Sequence, residues 1–542
     1  MDTDRPDYEA DPLGLEGLYE EMIQVREPYL RRAREAAALT LPYLLPPDGA
    51  TGSSPLPTPH QSIGGQGVNN LANLLLDALF PPQMPYFRLG LDEPSIAELA
   101  GDAAKKADVE KKLAEVERSA KLETDQVFDR ARAVATIKHL IVSGNSLVIV
   151  DDPGKTRVHR LDTYVTRRSP DGQLRLAIIK ERVLLEDLDG DFAEAAAASM
   201  TNTRTSLPTA AGHDDDDKYI DVYTAYNLSD DGGRMETYQA TKGLVIPGSE
   251  GSWPVEQSPV LALRWGWLDG EDYGRSLIDD MIGDLLTAEG LTKAIREASA
   301  VAARVILMVN PNGMTRAEDI TKADNLSAIS GRIEDANFLT LGKYADLQTA
   351  QTVLRDVLQR LSQMFVMHLG VRREAERVTA EETRMVIRAL EGSLGGTYAL
   401  LASELQLPLV RIVLHRLTTS NRYPKLPLDG SGGKPHLVPQ ITTGVEALGR
   451  GEDFGRYQQF VAAAAQLLGP EFLQWLVVPD FLSRLGTSLN IPMAGLVKTQ
   501  DQIAAEQAQA AQAQQQMMLN ATMGKMAEKA APQLAQAVTG QQ

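Results

Sequence analysis

Between Leu13 and Leu45 the apolar residues Leu15, Leu18, Met22, Val25 and Tyr29 recur every three or four positions, the spacing that gathers side chains on one helix face. Pro42, Pro46 and Pro47 end the pattern. The Pro-, Gly- and Ser-rich run from Pro46 to Pro59 reads as an exposed connector, and Val68 to Phe80 as an apolar helix stopped by Pro81 and Pro82. Lys105 to His139 continues a helical, charge-laced pattern. At Gly144 the period changes: Ser146–Val150, Arg157–Leu161, Leu174–Val183, Tyr219–Tyr226 and Pro259–Leu263 are short, rich in Val, Ile and Tyr, and separated by turn signals such as Pro170-Asp171-Gly172. This middle region is predicted to be α+β, with a mobile, Ala- and Asp-rich loop from Asp191 to Lys218.

Helical spacing then returns. Ser276 is placed to cap a helix with Asp279 and Asp280 in its first turn, and Leu277, Met281, Leu285, Leu291, Ile295 and Ala298 supply its apolar face. A β-like run, Val305–Val309, closes on the turn Asn310-Pro311-Asn312-Gly313. A second long helix runs from Tyr344 to Leu369 and stops at Gly370, so two long helices flank a compact insert. Thr379 and Glu382 form a T-x-x-E capping box for a third helix, which Gly392, Gly395, Gly396 and Pro408 should kink. The segment Leu426–Pro439 reads as a linker, and Thr443–Leu485 as further helix. The last 42 residues hold 12 Ala and 11 Gln, a helix-compatible tail that specifies little packing.

The length of 542 residues allows more than one core. A formal net charge of −19 argues against a broad phosphate-gripping face. The absence of cysteine excludes disulfides, thiolate metal sites and cysteine nucleophiles, and fits a reducing cytoplasm. No signal peptide is readable, and the longest apolar runs, such as Leu71–Pro82, fall short of a membrane span of about 18 residues.

Candidate chemistry is sparse. Leu147–Asp152 followed by Gly154-Lys155-Thr156 imitates part of a nucleotide site, but Ile149 stands where a phosphate loop needs Gly, and a strand rather than a helix follows. A hairpin turn is the better reading. Gly64, Gly65 and Gly67 follow a Pro-rich connector rather than a strand, and so read as a turn before a helix and not as a dinucleotide loop. No two of the seven histidines have the spacing of paired metal ligands, and Asp214–Asp217 lacks the alternation of a calcium loop. No catalytic, cofactor or metal residue is assigned.

Taken together, several segments resemble one family, the portal or head-to-tail connector proteins of short-tailed bacteriophages (podoviruses of the autographivirus type). They are Val68–Leu74 leading to Leu79-Phe80-Pro81, Ser143-Gly144-Asn145, Ile220–Thr224, Asp269–Ser276 and Asn310–Gly313, then Glu376–Glu382, Glu404–Val410 and Thr443–Gly451. They occur in order over roughly residues 15 to 455.

The resemblance implies an α+β, mainly α portal fold assembled as a ring, usually of twelve copies. Residues 1–275 would form the wing, 276–305 and 344–369 the stem helices and 306–343 the clip. Residues 370–378 would be the tunnel loop, 379–440 the kinked tunnel helix with its return and linker, 441–500 the crown, and 501–542 a barrel or disordered tail. Arg372, Arg373 and Arg377 would face the DNA channel, and Asn310–Gly313 would lie in the docking clip. The implied partners are other copies of the chain, double-stranded DNA, the terminase large subunit, tail adaptor and nozzle proteins, major capsid and scaffolding proteins and internal core proteins, with no membrane. The implied location is the portal vertex of the virion, after assembly in the host cytoplasm. Two other classes remain open at this point. One is a packaging ATPase, against which the failed phosphate loop argues; the other is a helical scaffold or adaptor without a DNA channel.

Overall fold

The computed structural model describes residues 10–50, 52–81, 86–91, 103–152, 154–188, 192, 219–302, 307–325, 327–338, 344–367, 394, 396–420, 437–441, 460–464, 466 and 481. The chain divides into two units, Met1–Gly444 and Val445–Gln542. In the second unit the described residues are helical. All that follows concerns the first unit.

Its helices are α1 (Leu15–Leu39), α2 (Ile63–Leu79), α3 (Ala103–Val127), α4 (Arg130–Ser143), α5 (Leu277–Ala302), the short α6 (Ala317–Thr321), α7 (Tyr344–Met364) and α8 (Leu407–Thr419). The strands are β1 (Phe87–Leu91), β2 (Asn145–Ile149), β3 (Arg157–His159), β4 (Tyr164–Arg168), β5 (Leu174–Leu184), β6 (Tyr219–Leu228), β7 (Arg234–Thr241), β8 (Leu244–Val245), β9 (Gly251–Pro254), β10 (Val260–Arg264), β11 (Leu307–Val309), β12 (Ala336–Phe338) and β13 (Leu437–Ile441).

The largest sheet is antiparallel, in the order β4-β5-β6-β7-β8, with β9 also on β7. Its alternation gives each face its own cover. Val165, Ile178, Tyr223 and Ala225 pack against Leu15, Tyr19 and Met22 of α1, while Ile220 and Val222 meet Phe192 on the other side. Each such large apolar side chain contributes about 1.5–3 kcal/mol when buried. A second sheet, β10-β2-β3, turns back at 150–156 as a hairpin, in agreement with the sequence reading. Arg416 of α8 donates to the carbonyls of Val150 and Asp151 there, at 3.0 and 2.6 Å.

Five expectations need correction. Helix α1 ends at Leu39, and its buried face runs through Tyr19, Met22, Arg26 and Leu30, whereas Val25 is 52% exposed. Pro28 lies inside α1 on the exposed side, where the carbonyl it leaves unpaired can meet water. Gly64, Gly65 and Gly67 are not a turn but the opening turns of α2. Residues 437–441, read as the edge of a linker, form β13, which pairs with β1 some 350 residues earlier. Finally, the helix Gly396–Thr419 is long and apolar enough to cross a membrane by length and composition alone, and half of its most apolar stretch is buried in the protein.

Candidate functional site

Two of the segments that carried the family resemblance, Ser143–Asn145 and Asp269–Ser276, meet at the root of α5. Ser276 Oγ accepts the Asp279 N–H at 3.0 Å while Asp279 Oδ2 accepts the Ser276 N–H at 3.0 Å, a reciprocal box that starts the helix where the sequence placed it. Just before it, the buried Asn145 side chain binds Gly274 on both sides: its Oδ1 accepts the Gly274 N–H at 2.7 Å and its Nδ2 donates to the Gly274 carbonyl at 2.9 Å. Gly144, at φ 73°, turns the chain from α4 into β2, and a Cβ on it would lie 2.5 Å from the Arg275 carbonyl carbon. Ser143-Gly144-Asn145 and Asp269–Ser276 are therefore two halves of one joint.

The same joint finishes β4, an edge strand of the large sheet. Its outward Thr166 N–H bonds Tyr273 Oη at 3.0 Å and its Arg168 N–H bonds Asp272 Oδ1 at 2.6 Å. Buried Arg26 reaches from α1 to the carbonyls of Asp162 and Tyr164, at 3.0 and 2.8 Å. Arg168 donates to the carbonyls of Gly172, Ala262 and Asp272. Burial, together with the neighbouring Arg264 guanidinium, lowers the Arg168 pKa to about 10. Arg264 holds Glu404: Nη2 and Nε lie 2.6 and 3.1 Å from Oε1, and the Arg264 N–H lies 3.1 Å from Oε2. Truncating one partner of a buried pair of this kind costs about 3–5 kcal/mol.

Helix α2 is the seat for the elements around it. Gln61 bonds Leu39 O at 2.6 Å and accepts the Gly64 N–H at 2.9 Å, and a Cβ on Gly64 would come 2.5 Å from Leu39 O. Glu289 of α5 accepts the backbone N–H groups of His60, at 2.8 Å, and Gln61, at 3.2 Å, just before α2 begins. The Phe365 ring, at the end of α7, fills the space that a Cβ on Gly67 would need. Asn70 donates to the carbonyls of Phe365 and Val366 at 3.2 and 3.4 Å. Val366 has φ 54°, a left-handed conformation costly for a β-branched residue, and these contacts hold it there.

Helices α5 and α7 run antiparallel, joined near the body by Arg360 on Asp284 at 2.7 and 3.1 Å. Their 26 and 21 residues span about 39 and 31 Å at 1.5 Å each. Beyond Ala288 in α5 and before Val357 in α7, none of the described side chains is buried. The insert between them contains the β11-β12 pair and α6. Asp335 organises its turn: its carbonyl accepts the Asn310 N–H at 2.8 Å, Oδ2 accepts the Met314 N–H at 3.0 Å, and its carboxylate occupies the space a Cβ on Gly313 would take. Asn310 accepts the N–H groups of Asn312 and Gly313, both at 3.0 Å, and Pro311 lies exposed at the tip. Thr315 is the only buried side chain among the insert's described residues, whereas Met308, Met314, Ile329 and Ile333 are exposed, the last at 96%.

Of the remaining sequence-predicted site residues, Gly396 and Pro408 are described; Arg372, Arg373, Arg377, Thr379, Glu382, Gly392 and Gly395 lie outside the described residues, as do most of 441–500 and all of 501–542. A π-turn, Ala402–Gln406, stands immediately before α8, and Pro408 lies in the first turn of α8. On the α2 side, Tyr398 Oη donates to Ala78 O at 3.0 Å and Gln406 Nε2 to Leu79 O at 2.6 Å, satisfying carbonyls that the end of α2 leaves free. Sequence reasoning missed Arg26, Arg168, Arg264 and Asn145 as joint residues; the signal available was the clustering of Gly with polar residues in the two matched segments. Among the described residues no group of three or more His, Asp or Glu is placed to hold a metal ion.

This is an arrangement of joints and projecting helices, the construction of a structural connector. A family profile described as "Bacteriophage head to tail connecting protein" matches residues 14–497. The portal protein of Escherichia phage T7 is 34% identical over 94% of this chain and 92% of its own length, and that of Enterobacteria phage T3 is 33% identical over 90% and 89%. The chain belongs to this head-to-tail connecting family. The neck of an empty GTA particle superposes with a TM-score of only 0.36, at 13% identity over 74% of this chain and 86% of that one, so membership rests on the sequence relatives.

Proposed function

We propose that the chain is a portal subunit that assembles into a ring at one capsid vertex and forms the conduit through which double-stranded DNA enters and leaves the head. As a family member it is a structural connector of the virion's head-to-tail junction. The observation that carries the reading further is the insert between α5 and α7: an element with exposed Met and Ile side chains and one buried residue needs neighbours to cover it. We read α5 and α7 as the stem and the insert as the clip, which interlocks subunits and docks the packaging terminase and then the tail adaptor. Residues 370–378 are proposed as the tunnel loop, with Arg372, Arg373 and Arg377 as a narrow cationic ring in an otherwise acidic passage. The net charge of −19 supports weak phosphate contact, which a translocating polymer requires.

Electron micrographs of the purified full chain test the assembly: large rings support the reading, and a monomer or dimer at micromolar concentration favours a scaffold or adaptor. Replacing Asn310–Leu341 by a short Gly linker should abolish terminase and tail attachment. Infectious, tailed particles from that variant would refute the docking role.

A further inference from the structure

Between Gly396 and Thr419 the helix contains one residue more than a continuous α-helix would need. The surplus sits in the π-turn Ala402–Gln406, which is pinned to α2 from before it by Tyr398, on Ala78 O at 3.0 Å, and at its last residue by Gln406, on Leu79 O at 2.6 Å. If the turn wound into α-helix with α8 fixed, every residue before it would move about 1.5 Å along the axis and about 100° around it. Ala399, now exposed, would then take the buried place of Tyr398.

One side chain within the turn, Glu404, makes an ion pair, and its partner is Arg264 of β10. The arrangement is not fully satisfied. Arg264 Nη1 and Gln406 Oε1 are buried and find no hydrogen-bond partner among the described residues, and Arg168 adds a second guanidinium beside Arg264. Each buried polar group left without a partner raises the free energy of this packing and so narrows its lead over an alternative.

We propose that the π-turn is a stored residue held by an Arg264–Glu404 latch, and that opening the latch lets Gly396–Leu401 advance by one register across α2. The shift lies within a single chain, so its failure would leave the portal reading intact.

The chain contains no cysteine, so Ala399→Cys introduces a unique thiol. It should react with a maleimide as an exposed thiol does, and adding Glu404→Ala or Arg264→Gln should slow that reaction at least about tenfold, the scale of protection that burial confers on a site reached by local opening. Deleting Ser403 removes the surplus residue while keeping both flanks in register, so Ala399→Cys should stay fast there even with Glu404→Ala. Unchanged or faster labelling in the full-length latch variants overturns the proposal, as does slow labelling in the deletion. Electron cryo-microscopy of the full chain with Glu404→Ala gives a second readout, independent of whether neighbouring copies shield position 399: Ala399 at the Ala78 carbonyl supports the latch, and Tyr398 still there with the π-turn intact overturns it.

Discussion

Replacing Asn145 by Ala removes one side chain and strands both backbone polar groups of the buried Gly274. The Gly274 N–H loses an acceptor at 2.7 Å and the Gly274 carbonyl a donor at 2.9 Å, and a Cβ added to Gly274 would already stand 2.8 Å from the carbonyl oxygens of Gly144 and Gly266, so the joint has no room to relax toward new partners. At about 1–3 kcal/mol for each buried group left unpaired, the loss should be about 4 kcal/mol. Asn145→Asp keeps the volume but sets a carboxylate oxygen against the carbonyls of Gly274 and Ser143, so it should cost at least as much as Ala. Trp265, whose backbone N–H bonds Gly144 O at 2.9 Å, lies in the same joint, so denaturant unfolding followed by fluorescence in a background where the other three tryptophans are replaced by Phe reports on it. Amide hydrogen exchange at Leu277–Met281 should rise with the loss, because the root of α5 is fixed through the same residues. A cost below about 1 kcal/mol for Ala, or an Asp variant more stable than the Ala variant, would refute the account of the joint.

Three further outcomes are expected. Gly67→Ala should drive a methyl into the Phe365 ring and destabilise the α7 end by about 1–3 kcal/mol, read as a lower denaturation midpoint. His139 and His159 are held neutral by burial, each with its pKa lowered to about 4, below the unfolded value of about 6.5; stability should therefore fall as pH drops from 6.5 toward 4, with a shallower slope in a His139→Gln, His159→Gln variant when unfolding is measured across that range. Replacing Arg372, Arg373 and Arg377 together by Ala should leave rings and procapsids intact while lowering the fraction of heads that retain a full genome; normal retention makes the loop a simple connector, and loss of rings assigns it to assembly.

What the sequence made legible was local. The Ser276–Asp279 box, the hairpin at 150–156 and the two long helices around the insert are written in residues that lie within a few positions of one another. Helix α1 shows where such reading stops. Its spacing put Val25 on the buried face, but the tertiary packing turns that face toward Arg26, whose charge disguises a core position until the carbonyls of Asp162 and Tyr164 are seen to receive it. Strand β13 contains Pro439 and follows a Gly- and Pro-rich stretch, so nothing local marks it as the partner of β1. Gly64 and Gly67 looked like turn residues because their real constraint, the approach of Leu39 O and Phe365, comes from distant chain. The family segments were recognisable as strings before their meaning was, since Asn145 and Gly274, 129 positions apart, become one feature only when the chain between them has folded.

The finished edge of β4 bears on how a chain of this kind avoids polymerising. An edge strand with unpaired amides and carbonyls invites the same strand of another copy, and pairing that does not close on itself propagates into fibres. On the outer side of β4, Tyr273 and Asp272 occupy the amides of Thr166 and Arg168, and Arg26 takes the carbonyls of Asp162 and Tyr164. Side chains there do the work of a neighbouring strand without being extendable. At those positions the border offers a second copy no free backbone group along which to stack.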